Sequence, residues 1–269
     1  MEGSERGNTL AKFEESRWAD SNFSQDYRDN SDRYLPFRDQ FIQVAKLGYK
    51  NFISKKNAAS ILDLGCGDGL FIYELAKASP FLNATLVDAS SEMLSVAKAR
   101  LSNKENIDFI KASFQQISDS DPLNKKFDFI YSSLAIHHLS FSEKKRLYSY
   151  IFDHLSPGGY FFNYDVVLSP TTMLEEWHLS LWREWIKSHS TIEVPNKFLN
   201  IPSKYKSNPD NVPDTLESQI KVLRNLGFQN VDCVFKYGIF SLFVGSRSKE
   251  KDNNSIHSDT DSAALHPCR

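Results

Sequence analysis

The run Ile61-Leu-Asp-Leu-Gly-Cys-Gly-Asp-Gly69 restricts this chain more than any other segment. A short apolar run of strand character enters three glycines placed at every second position, and a helical pattern over residues 70–78 follows at once. Glycine reaches positive φ at no steric cost and lets another molecule approach the main chain closely. The first turn of the helix behind it leaves N–H groups unpaired, which favours an anion. Strand, glycine turn and helix in that order form the first half of a βαβ unit. The next apolar run, Ala84-Thr-Leu-Val-Asp88, ends on an acid. It stands about 20 residues beyond the turn, where nucleotide-binding βαβ units hold the carboxylate that accepts from ribose hydroxyls. The G-x-G-x-G spacing departs from the dinucleotide fingerprint G-x-G-x-x-G and so disfavours a nicotinamide-dependent oxidoreductase. Taken alone, the glycines are an ordinary βα turn and Asp88 an acid at a helix N-terminus. The two in this order and at this spacing indicate a ligand.

The alternation continues along the chain. Strand-like runs at 61–64, 85–87, 108–110, 127–131 and 159–164 are separated by helical patterns at 70–78, 92–101 and 142–154, which predicts a parallel sheet covered by helices. Residues 1–57 form an N-terminal helical arm, with helices expected near 12–27 and from Pro36 onward, where Phe37, Phe41, Val44, Ala45 and Leu47 keep helical spacing. Residues 58–165 form the α/β core. Residues 166–213 break the alternation and read as an insert, with a helix at 171–187 followed by a stretch containing Pro195, Pro202, Pro209 and Pro213. Residues 214–248 complete the core with a helix at 214–226, capped by Gly227, and an antiparallel hairpin, 231–235 and 239–244, turning at Tyr237-Gly238. The segment 249–269, rich in Ser, Asp, Asn and His, reads as a disordered tail.

Several motifs then resemble the class I S-adenosylmethionine (SAM) dependent methyltransferases, in particular the small-molecule branch that contains the ubiquinone/menaquinone C-methyltransferases. The resemblance covers residues 58–165 and 214–246. Asp63–Gly69 matches the family's glycine motif, and Val87-Asp88 with Ser91-Glu92-Met93-Leu94 matches its second motif. Phe127-Asp-Phe-Ile-Tyr-Ser-Ser-Leu-Ala-Ile-His-His-Leu139, Leu155-Ser-Pro-Gly-Gly159 and Leu226-Gly-Phe228 match further segments. The resemblance implies a Rossmann-like seven-stranded sheet of order 3-2-1-4-5-7-6 with strand seven antiparallel. It implies SAM as cofactor, bound by Asp63, Gly65, Cys66, Gly67, Gly69, Asp88, Ala89, Met93, Ser113, Phe114 and Leu134, with the glycine loop at the methionine carboxylate, Asp88 at the ribose and Met93 and Ser113 at the adenine. Ser113 stands where many members carry an aspartate that bonds the adenine amino group. From the arm, Tyr27 and Arg33 are expected over the cofactor, with Tyr34 and Arg38 in the same segment.

Acceptor choice falls to the arm and the insert, because the core motifs are used up by the cofactor. Trp177, Trp182 and Trp185 share one helical stripe, which is either core packing or an aromatic lid over an apolar or aromatic acceptor. His137, His138 and Asp165 follow strands four and five and are the candidates for a general base. Each has an ordinary alternative, packing for the histidines and capping for the acid. A net charge of −2 gives no field to draw in a polyanion, so a small molecule is favoured over nucleic acid. Three cysteines with no paired spacing give neither a disulfide framework nor a metal signature. With no apolar leader and no membrane-length apolar run, the expectation is a cytoplasmic enzyme. Two other readings use the same fold. A carboxy-SAM synthase or tRNA-modification enzyme is suggested by Arg33-Tyr-Leu-Pro36, and a non-catalytic SAM-binding protein by the cofactor motifs alone.

Overall fold

The computed structural model describes residues 13, 16–56, 58–79, 82–189, 195–205 and 207–249. Its centre is β1 (Ser60–Leu64), whose Ile61, Leu62 and Leu64 are fully buried. Burial on both faces explains why the strand is apolar apart from Ser60 and the buried Asp63, as parallel strands covered by helices require. β2 (Asn83–Asp88) and β4 (Phe127–Ser133) flank β1 in parallel. β3 (Ile107–Lys111) adds outside β2, and β5 (Leu155–Val166) outside β4. β7 (Phe240–Ser246) lies antiparallel to β5 from Tyr160↔Ser246 to Val166↔Phe240, and β6 (Gln229–Tyr237) forms the edge. The order is β3-β2-β1-β4-β5-β7-β6, the Rossmann-like sheet that the motifs imply. The strand order reverses between β1 and β4, which opens a crevice at the carboxyl ends of those strands.

Helices cover both faces. α2 (Arg38–Phe52), α3 (Leu70–Ala76), α4 (Ser91–Arg100) and α7 (Thr172–Ser188) pack one face through Phe41, Ala45, Phe71, Ala97 and Trp182. α5 (Phe114–Ser120), α6 (Phe141–His154) and α10 (Leu216–Asn225) pack the other through Ile117, Leu147, Ile151 and Leu223. Short helices α8 (Asn196–Leu199) and α9 (Ile201–Tyr205) lie within the insert.

The arm differs from its expectation. Its first described α-helix, α1, is Ser21–Tyr34, preceded by a single 3-10 turn at Arg17–Ala19. Asp20 sets the boundary, because its side chain accepts from the Asn22 N–H and caps a helix that starts there. The tryptophan stripe also resolves. Trp182 is buried edge-on against Phe240, with its Nε1 donating to the Tyr34 carbonyl at 2.6 Å. Trp185 is buried and stacks on His189, while Trp177 stands 56% exposed. Trp182 fastens the insert to the arm and sheet, and for Trp182 and Trp185 the expectation of an aromatic lid over the acceptor gives way to core packing. The expected tail at 249–269, apart from Lys249, and the first twelve residues lie outside the described residues. No described helix is long and apolar enough to cross a membrane.

The packing of α2 on β5 yields a test. A Cβ built on Gly48 would lie 2.3 Å from Cζ of Phe162, a ring that is only 2% exposed. Helix propensity alone would favour alanine by about 1 kcal/mol. Overpacking of a buried ring costs about 1–3 kcal/mol and wins. Gly48→Ala is expected to lower the urea midpoint at unchanged m-value; a raised midpoint would show that the ring moves aside freely.

Candidate functional site

The crevice at the β1/β4 switch holds a cavity of about 230 Å³. Its floor is the turn after β1. Gly65, Gly67 and Gly69 have φ of 67°, 53° and 72°, the left-handed region that side chains resist. Two of these glycines meet different constraints. A Cβ on Gly65 would strike the Ala135 Cβ at 2.6 Å, whereas a Cβ on Gly67 would meet nothing within 4 Å. Gly65 is therefore small for the sake of packing, and Gly67 for the sake of whatever fills the cavity. Gly69, at the N-cap of α3, packs near Ala97, Leu101 and Leu86 rather than lining the cavity.

The turn is fastened to the end of β2. Gly65 and Cys66 N–H groups donate to the Val87 carbonyl at 2.8 and 3.0 Å. Asp88 Oδ2 accepts from the Gly67 N–H and its Oδ1 from the Ser90 N–H, each at 2.8 Å. Burial raises the Asp88 pKa, opposed by those backbone donors. Asp63 is more extreme. It is 2% exposed and its Oδ2 has no hydrogen-bond partner among the described residues. Burial, then the neighbouring Asp88 and Asp68, pushes its pKa well up. Asp68 itself pairs with Arg100 at 2.8 Å.

One wall is an apolar slot made by Ala89, Met93, Ala112, Phe114 and Leu134. Leu134 adopts φ 52°, a strained conformation for leucine, held by its N–H donating to the Tyr164 carbonyl at 2.7 Å. Ser113 lines the cavity but is also the N-cap of α5, accepting from the Gln116 N–H at 3.2 Å in a capping box. Further lining comes from the arm (Phe13, Ser16, Trp18, Tyr27, Arg38 and Ile42), from the insert (Pro209 and Asp210) and from His138 in the turn after β4.

Of the residues singled out from sequence, Tyr27, Asp63, Gly65, Cys66, Gly67, Asp88, Ala89, Met93, Ser113, Phe114, Leu134 and His138 line this cavity. Gly69, Arg33, His137 and Asp165 do not. Arg33 sits over the Phe198 ring at 5.2 Å and donates to Asn30, on the outer side of α1. The arginine that reaches the cavity is Arg38, because α2 begins there after the Leu35–Phe37 corner has turned the chain. His137 and Asp165 form a buried pair, Nδ1 to Oδ1 at 2.6 Å, that braces the end of β5. His138 does face the cavity, yet both its nitrogens are engaged. Nδ1 lies 2.6 Å from the Asp210 carbonyl oxygen, so it must donate, and Nε2 accepts from the Trp18 indole at 2.9 Å. Burial, followed by the adjacent His137, drives the His138 pKa well below its ordinary value. A neutral ring with its one lone pair occupied is no general base. Sequence reading missed Trp18, Phe13 and Asp210, since only long-range contacts bring them here. Among the described residues, no group of three His, Cys, Asp or Glu side chains is placed to hold a metal.

The donor set fits a nucleoside carrying an amino acid. An unpaired buried carboxylate at Asp63 suits an ammonium group. A free space over the Gly67 main chain, Asp88 beside it and an apolar slot complete the match.

Comparison with known proteins agrees. Residues 61–159 match the family model described as a methyltransferase domain. The carboxy-S-adenosyl-L-methionine synthase of Nautilia profundicola is 24% identical over 221 residues, covering 81% of this chain and 89% of that protein. The trans-aconitate 2-methyltransferase of Deinococcus radiodurans is 32% identical over 130 residues, 48% of this chain and 46% of that protein. An O-methyltransferase family protein from Burkholderia thailandensis superposes with a TM-score of 0.62 at 15% identity, covering 88% of this chain; this chain spans 64% of that structure's length.

Gly67 provides the direct test. Gly67→Ala places a methyl where the cavity is open, and the left-handed backbone adds roughly 1–2 kcal/mol of strain. Isothermal titration of S-adenosylhomocysteine is expected to show at least a tenfold loss of affinity in a folded protein. Unchanged affinity would mean that the ligand does not approach the Gly67 main chain. With the domain match and this cavity, the chain is an enzyme that depends on SAM.

Proposed function

We propose that this SAM-dependent enzyme transfers a methyl group to a small acceptor that carries a carboxylate. The observation that carries the reading is a cavity with an arginine in its wall and no histidine lone pair open to it. Arg38 donates from Nη1 to Ser31 Oγ at 2.8 Å and to Asp32 Oδ1 at 2.7 Å. Its Nε and Nη2 make no hydrogen bond among the described residues. Burial lowers the Arg38 pKa, but Tyr27, Asp32 and Asp68 outweigh it and keep the guanidinium charged. A planar cation with free donors is suited to a carboxylate.

In this reading the Gly67 main chain and the N-terminus of α3 hold the methionine carboxylate of the cofactor, Asp63 its ammonium and Asp88 its ribose. Met93, Phe114 and Leu134 enclose the adenine. The bound cofactor supplies an electrophilic methyl on a sulfonium, with a neutral thioether as leaving group. Trp18, Tyr27 and Ile42 exclude water from the acceptor end, and Arg38 orients the acceptor. Orientation of this kind is worth up to about 7–11 kcal/mol in well-aligned cases. A general base adds roughly 10²–10⁴-fold only where the acceptor must lose a proton. An ionised carboxylate needs none, which accords with the engaged nitrogens of His138. The Deinococcus radiodurans relative is by name a methyltransferase of a carboxylate compound.

A second reading is favoured by the Nautilia profundicola relative, which aligns over 89% of its length. There the same Arg38 would meet the additional carboxylate of a carboxylated cofactor. Incubation with SAM and a panel of small carboxylic acids, followed by mass spectrometry, separates the two. A methylated acid with S-adenosylhomocysteine supports methyl transfer; a carboxylated cofactor with no methylated acid supports the second reading.

The Arg38 assignment has its own test. Arg38→Met removes a charged donor pair worth about 1.5–3 kcal/mol, or roughly 10–150-fold. The acceptor KM is expected to rise by that factor, with the dissociation constant for S-adenosylhomocysteine held within about threefold. If the cofactor affinity falls instead, Arg38 belongs to the methionine carboxylate and the acceptor assignment fails.

A further inference from the structure

His138 is the only described contact point at which the arm, the insert and the core meet through side-chain polar bonds at the cavity. It follows β4 in a 3-10 turn, Ile136–His138. Trp18 comes from the arm and Asp210 from the far end of the insert, yet both bond this one ring, at 2.9 and 2.6 Å. Arg17 draws the arm and the insert together again, its N–H donating to Asp210 Oδ2 at 3.3 Å. All three of Trp18, His138 and Asp210 line the cavity wall. Trp18 is further wedged edge-on against Phe23 and Tyr27, with ring centroids 5.0 and 5.1 Å away.

We propose that Trp18, His138 and Asp210 form a clasp that closes the arm and insert over the occupied cavity, and that His138 is its neutral centre rather than a catalytic base. This rests on the reading that the cavity takes the cofactor. Trp18 and His138 are positioning residues: they fix the acceptor wall and set how fast the nucleoside leaves.

The chemistry of the ring imposes the pH sense. With Nδ1–H given to a carbonyl, Nε2 must accept from the indole N–H, and the indole has no lone pair to offer in return. A protonated ring would turn two N–H donors towards each other. The surroundings add to this penalty, since the His137 ring at 3.9 Å and the charges of Arg17 and Lys144 all disfavour a protonated His138, and Asp210 offers it a carbonyl while its carboxylate pairs with Arg17. The closed state thus holds the His138 pKa below the ordinary 6.5. Closure is complete above that value and weakens as pH falls through it.

The test uses the full chain and S-adenosylhomocysteine. Trp18→Phe keeps the ring and deletes the N–H donor; His138→Leu deletes both bonds. His138→Gln keeps one donor and one acceptor at similar separation and does not titrate. Two readouts are followed: the dissociation rate of S-adenosylhomocysteine by stopped flow, and trypsin cleavage at Arg17-Trp18 by mass spectrometry, in free and liganded protein. Trp18→Phe and His138→Leu are expected to speed both by about five- to tenfold, as loss of one to two buried hydrogen bonds requires. His138→Gln is expected to restore slow rates. Lowering the pH from 7.5 to 5.5 is expected to speed the dissociation of S-adenosylhomocysteine in the unaltered protein and not in His138→Gln, with the cleavage assay kept at pH 7.5 where trypsin is active. Unchanged rates in Trp18→Phe and His138→Leu overturn the clasp. If S-adenosylhomocysteine does not bind the unaltered protein, the cofactor reading fails, and cleavage at Arg17-Trp18 in the free protein still decides whether the clasp holds the arm.

Discussion

The hydrogen bond from the Gly67 N–H to Asp88 Oδ2 joins the two halves of the cavity floor. It ties the loop leaving β1 to the acid ending β2, and the Gly65 and Cys66 N–H groups bonded to the Val87 carbonyl reinforce it. Without this fastening, three successive left-handed glycines would be free to sample many conformations, because glycine loses most freedom on ordering. With it, the main chain at Gly67 faces an open space and α3 starts in a fixed direction. The Asp88 carboxylate is thus structural and ligand-facing at once. Each oxygen accepts one backbone donor and keeps lone-pair capacity towards the cavity.

The sheet and its motifs were legible because they are local or periodic. β1 and β4 are apolar on both faces, and the amphipathic helices between them alternate at helical spacing. Glycine turns appear as glycines. Asp88 could be named from its spacing to the glycines, and Asp63 from the resemblance of its motif. What was not legible depended on chain direction outside the sheet. Arg33 and Arg38 are five positions apart in one segment, yet the corner between α1 and α2 sends one outward onto Phe198 and the other into the cavity. The tryptophans invert in the same way. Trp177, Trp182 and Trp185 announce themselves as a stripe, and a stripe is what a packed helix needs. Trp18 belongs to no periodic pattern in the arm, and its bond to His138, 120 residues away, is what brings it to the core.

The insert returns to the core by polar contacts that no hydrophobic pattern encodes. Lys144 is 1% exposed, and its ammonium pairs with Asp214 Oδ2 at 2.6 Å and donates to the Val212 carbonyl. The Val212 N–H in turn donates to the His137 carbonyl at 2.9 Å. A buried lysine without such partners would be strongly unfavourable, so its pairing fixes where this stretch must lie. That stretch carries Pro209 and Asp210 to the cavity mouth. The buried His137–Asp165 pair serves the same end from beneath, holding the β4 and β5 ends in register behind the turn that presents His138.

These two kinds of construction divide the cavity by stiffness. The cofactor floor uses main-chain groups at the ends of strands in the middle of a seven-stranded sheet. Moving it would mean breaking the sheet. The end that we propose takes the acceptor uses side chains from the arm and the insert around His138, joined by a few hydrogen bonds that each contribute only about 0.5–1.5 kcal/mol. Methyl transfer needs a dry, aligned cavity during the reaction and an exit afterwards. A rigid floor with a weakly held wall meets both needs, and under the proposed clasp control of release would fall to Trp18, His138 and Asp210.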